Sequence, residues 1–80
     1  MQHDIIKINQ NDTYTLQAEK IKGKWWLELI ERATGLTWIL VCKTKPIALA
    51  TFKGMTLEDC RVTMDKIKVS PIKMYKANVM

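Results

Sequence analysis

The sequence holds one histidine, two cysteines, two prolines and three glycines among its 80 residues, and each scarcity excludes a chemistry. His3 lies near the start of the chain, where terminal segments are usually solvated, so neither a catalytic triad nor a histidine-rich metal site can be assembled. Cys42 and Cys60 have neither the count of a disulfide framework nor the spacing of a metal site. Each falls in an apolar pattern with no activating neighbour, and each reads as a small buried hydrophobe. With so few glycines there is no G-x-x-x-x-G-K-[ST] and no G-x-G-x-x-G, hence no glycine loop to cradle phosphates. The expectation is a protein that is not an enzyme and has no cofactor, no metal and no small-molecule substrate. The start Met1-Gln2-His3-Asp4 lacks the basic and apolar stretches of a secretory leader, and no segment approaches membrane-spanning length. With the sparse cysteines, this reads as a cytoplasmic chain that engages no membrane.

What is present is ample apolar content, 48%, with 26% charged residues, the balance of an ordinary folded chain and enough for one domain over residues 1–80. Eleven lysines and two arginines against eight acids leave a net charge of +5, which suits a partner of negative potential. Lysine is a solvated point charge without the bidentate fork of arginine, so the surplus favours general attraction over reading of base edges.

Ile5, Ile6 and Ile8 form a short β-branched run ending at the turn cluster Asn9-Gln10-Asn11-Asp12, a possible extra N-terminal strand. Tyr14, Leu16 and Ala18 alternate with Thr15, Gln17 and Glu19, as in a half-buried strand. Lys22-Gly23-Lys24 turns the chain. Residues 25–42 then read as a hairpin closed by Ala33-Thr34-Gly35, whose glycine can take the left-handed conformation of a bulged turn. Lys43-Thr44-Lys45-Pro46 breaks the strand pattern, and residues 47–52 suit a fourth strand, although Ala48 and Ala50 also allow a helix. Thr56 followed by Glu58 and Asp59 marks a helix start, which accounts for this acid pair without catalysis. Leu57, Cys60, Met64 and Ile67 make one apolar stripe on that helix, and Ser70-Pro71 ends it. Residues 70–80 could add an edge strand or form a flexible tail. The predicted fold class is α+β: a small antiparallel meander of three to four strands, with one C-terminal helix packed on one face.

Two features of this pattern suggest binding. In a meander, the turns near residues 22–24 and 43–46 share one end of the sheet, gathering Lys20, Lys22, Lys24, Lys43 and Lys45. A helix running back over the sheet would bring Lys66 and Lys68 to them. Secondly, the hairpin is apolar on both parities, with Trp25, Leu27 and Leu29 on one and Trp26 and Ile30 on the other. Strands of this kind are normally covered on both faces, and one helix covers only one. The N-terminal run and the tail could fold over the second face. Otherwise it is an interface, where Trp is a favoured anchor.

The expected function is therefore that of a non-enzymatic interaction protein. It would dock a sheet face and a lysine-rich edge, including Lys20, Lys22, Lys24, Trp26, Ile30, Lys43, Lys45, Lys66 and Lys68, onto another macromolecule. Size and chemistry are analogous to those of phage and mobile-element accessory proteins that inhibit host defence complexes by occupancy. One alternative is a nucleic-acid-binding module using the lysines and stacked aromatic rings. Another is a homodimer subunit paired through the second sheet face.

Overall fold

The computed structural model describes residues 4–66 and 72–73. Five strands, β1 (Ile5–Gln10), β2 (Tyr14–Ile21), β3 (Lys24–Glu31), β4 (Leu36–Cys42) and β5 (Ile72–Lys73), form one antiparallel sheet in the order β1-β2-β3-β4-β5. The first four are the predicted meander with its N-terminal strand. Two helices, α1 (Lys45–Ala50) and α2 (Leu57–Lys66), follow β4.

Each hairpin is set by local turn chemistry. Between β1 and β2 the Asn11 side chain accepts hydrogen bonds from the backbone N–H of Thr13 at 2.8 Å and Tyr14 at 2.7 Å, an Asx turn. Between β3 and β4 Gly35, at φ 78°, donates its N–H to the Glu31 carbonyl at 2.8 Å, as the glycine position foretold. The β2–β3 turn is the tightest, with Lys22 at φ 51° and Gly23 at φ 80° inside the Ile21–Lys24 pair. Two successive left-handed residues match the right-handed twist of the flanking strands. A Cβ at Gly23 would meet nothing within 4 Å, so only backbone strain opposes substitution. Gly23→Ala should therefore cost about 1 kcal/mol, read as a lower urea midpoint with an unchanged slope.

The core lies on one face of the sheet. Tyr14, Leu16, Ala18, Leu27, Leu29, Trp38 and Cys42 from the strands meet Ala48, Leu57, Cys60 and Met64 from the helices, all buried. Complete burial of Leu27 and Leu29 stabilises the fold by about 2 kcal/mol each. The predicted parity of Trp25, Leu27 and Leu29 is the helix-covered one.

Three expectations are corrected. Residues 47–52 are not a strand: Ile47 to Ala50 complete α1, with Thr51 as its C-cap and Phe52 in the following turn at φ 62°. The Thr44 hydroxyl accepts the Ile47 N–H at 3.4 Å, and Pro46 occupies the first turn, where its missing N–H is no loss. Thus the proline that ends the strand pattern begins a helix. Among the described residues there are two helices where one was predicted, and both pack on the same side of the sheet. Finally, the N-terminal run does not fold over the second face, because β1 extends the sheet in its own plane as an edge strand. The described part of the tail, Ile72–Lys73, does likewise beside Leu36 and Thr37. Residues 74–80, Ser70-Pro71 and Ile67 lie outside the described residues.

Helix α2 starts as predicted, with the Thr56 hydroxyl accepting the Asp59 N–H at 3.1 Å, and buries Leu57, Cys60 and Met64. Arg61 ties it to the sheet. Its Nη1 donates to the Tyr14 hydroxyl at 3.1 Å, and its guanidinium lies 5.0 Å from the centre of the Trp38 ring. Next to it, Asp65 Oδ1 accepts the Trp38 indole N–H at 3.0 Å, and Glu58 accepts from Asn11 Nδ2 at 3.0 Å. These contacts hold α2 over the half of the sheet that carries the β1–β2 and β3–β4 turns.

Candidate binding surfaces

The strand register decides where the lysines go. Lys20 pairs with Trp25, Ile21 with Lys24, and Trp25 with Cys42, so the β2–β3 turn and the end of β4 share one end of the sheet. Since α1 begins there as well, Lys20, Lys22, Lys24, Lys43 and Lys45 are brought to that end, and all are exposed. Among the described residues none of these five enters an ion pair, and their charges add to a positive field. Lys66 is not among them. It follows Asp65, which is fixed to Trp38 in the other half of the sheet, so α2 does not return to the lysine end. Lys68 lies outside the described residues.

Strand alternation divides this end between the two faces. On the helix side, Trp25 stands beside Lys20 on the neighbouring strand, and Lys45 Nζ lies 6.0 Å from the centre of its ring. A cleft of about 480 Å³ opens here, lined by Asp4, Ile5, Ile6, Trp25 and Lys45. The sequence reading assigned Trp25 to the core parity and missed this cleft. The available signal was that Trp25 is the first core-parity residue after the β2–β3 turn, at the very end of the sheet.

On the other side, Lys24 shares the parity of Trp26. Cross-strand rows can be followed over this face: Ile5, Glu19, Trp26 and Val41, then Lys7, Gln17, Glu28 and Ile39, then Thr15, Ile30 and Thr37. Among the described residues no helix lies over these rows. Ile5 and Val41 are about half exposed, at 52% and 51%, while Trp26, Ile30 and Ile39 are half-buried. Trp26 and Ile30 therefore stand on one face, as their parity predicted, with the exposed aliphatic residues at its lysine end.

The middle of this face is polar and closed. Glu28 is fully buried, Glu19 nearly so, and Gln17 Nε2 donates to Glu28 Oε1 at 2.8 Å. Glu28 Oε2 has no hydrogen-bond partner outside the carboxyl pair it forms with Glu19. Burial pushes the Glu28 carboxyl up to about 7; the Gln17 amide opposes this, while the hydrogen bond and like charge of Glu19 reinforce it. A short polar residue would have satisfied the alternation, so sequence gave no warning of a buried acid here. Cys42 and Cys60 are buried free thiols, and burial raises the pKa of both, which keeps them protonated and poorly nucleophilic.

Comparison with protein-family models, with curated proteins and with solved structures returns no match to this chain.

Proposed function

We propose that this chain is a non-enzymatic binding protein that docks the helix-free face of its sheet, with the lysine edge beside it, onto an acidic surface of another protein. The observation that carries this reading is the placement of both described helices on one face, which leaves Ile5, Trp26 and Val41 exposed or half-exposed in one row on the other, with the buried Glu19 between Ile5 and Trp26. Lys24 stands beside that row, two residues before Trp26 on β3 and on the same face, and Lys22 and Lys43 lie at the same end of the sheet. Exposed apolar side chains flanked by lysines that enter no ion pair among the described residues suit a partner with an apolar ridge bordered by carboxylates: apolar burial supplies affinity, and charge supplies approach rate and orientation. Such a protein acts by occupancy, inhibiting a complex by covering the surface that the complex needs.

The test uses the full chain as bait in an extract of its native host, followed by purified partner. Val41→Glu should weaken binding of that partner by about a hundredfold, and Lys24→Glu by about tenfold, with thermal unfolding unchanged. Binding that survives both substitutions overturns the reading. Sedimentation that shows a dimer, dissociated by Val41→Glu, would instead give the face to a second copy of the chain.

A further inference from the structure

The cleft at Trp25 opens on the helix side of the sheet and shares only the edge residue Ile5 with the docking row proposed above. We propose that this cleft binds a nucleotide, with the base laid against the Trp25 ring and its exocyclic amine on Asp4, and the phosphate taken by Lys45 and Lys20.

Trp25 is half-buried at the edge of the core, so its ring is held by packing while remaining open to the cleft. A rigid indole with an open side is a platform for any planar heteroaromatic ring. Ile6 lines the same cleft and supplies an apolar flank. At 6.0 Å, Lys45 Nζ is at the outer limit of attraction to the ring, so little is lost when the ammonium swings to a phosphate. Lys20 stands directly across from Trp25 on β2. With Lys43 and Lys22 nearby, lysines outnumber the single carboxylate of Asp4 at the mouth of the cleft, and among the described residues none of these lysines enters an ion pair.

Asp4 decides the ligand class. A site for phosphate alone would not put a carboxylate on its wall, since the like charge repels it. A nucleotide separates its functions: the phosphate can reach the lysines while an amino group on the base donates to Asp4, as carboxylates accept from cytosine and other amino-bearing bases. The volume of about 480 Å³ falls within the range of small-molecule clefts and holds one nucleotide. No glycine loop is needed, because stacking and side-chain cations do the holding. The same unit could be a free nucleotide or one residue of a single strand.

Nuclear magnetic resonance on the full chain tests this through the Trp25 indole N–H, titrated separately with AMP, UMP, inorganic phosphate and a short oligo(dA). AMP should shift that resonance saturably, UMP should bind about tenfold more weakly, and phosphate alone should leave the indole unmoved. Lys45→Ala should weaken AMP about tenfold and Lys45→Arg should largely restore it. A tighter, steeply salt-dependent response to oligo(dA) would make a strand the source, and an equal or weaker one a free nucleotide. An indole that ignores AMP and oligo(dA) at low salt, or responds equally to phosphate, overturns the proposal. Val41→Glu, which should break the protein interface, should leave AMP binding intact, so the two readings fail separately.

Discussion

Raising the pH from about 4.5 to above 7 should destabilise this protein through one side chain, and Glu28→Gln should remove that loss. The folded chain holds the Glu28 proton up to about 7, against an ordinary value of 4.5. Between these values the folded state binds more protons than the unfolded state, so stability falls as pH rises. The contribution is fully present below about 4.5 and is lost as pH passes through 7. The span corresponds to at most about 3 kcal/mol, because each unit of pKa displacement is worth 1.36 kcal/mol. A glutamine reproduces the shape of the protonated acid: its oxygen still accepts from Gln17, and its amide donates towards Glu19 where the acid proton stood. Urea titrations at a series of pH values would show the variant more stable than the parent above pH 7 and about equal to it at low pH. Equal pH slopes for the two proteins would mean that Glu28 is solvated.

Trp38→Ala should cost about 3 to 5 kcal/mol and leave a partly unfolded population at room temperature, whereas Trp26→Ala should cost about 1. Both residues are strand tryptophans, and their difference is one of place. Trp38 is buried in the helix-covered core, anchors Asp65 through its indole N–H and carries Arg61 on its ring. Truncation there opens a large cavity and releases α2. Trp26 is half-buried on the helix-free face, and much of its truncated surface would be solvated. Thermal melts of the two variants measure the contrast. Equal losses would show that Trp26 belongs to a second core, and the docking row would lose its anchor.

The meander was legible because its signals are local. Alternation from Tyr14 onward, the glycine at position 35 and the Thr56 cap each act within a few residues, and each has its predicted structural role. The segment after Cys42 was misread because Thr44-Lys45-Pro46 carries two meanings: proline excludes a ladder, but it also suits the first turn of a capped helix. Ala48, buried against the sheet, settles the choice in favour of the helix. The lysine end followed from topology, since alternate turns of a meander fall at the same end of the sheet. What could not be read were relations between distant residues. Asp4 and Lys45 share a cleft only because β1 and the start of α1 lie at one end of the sheet, and the buried Glu28 meets Gln17 and Glu19 only through the pairing of β2 with β3. Lys66 was misplaced for the same reason, as the line of α2 is set by Arg61 and Asp65 on the sheet.

The strand order has a further consequence, for how the chain reaches its fold. From β1 to β4 every strand pairs with the one made just before it, across a short turn. Loop closure costs little at such separations, so the hairpins can zip successively as the chain is synthesised, without an exposed strand waiting for a distant mate. The helices arrive afterwards, onto a ladder already laid down. Among the described residues, only the pairing of Ile72–Lys73 with Leu36 and Thr37 must span a long stretch of chain, which places it last in this order.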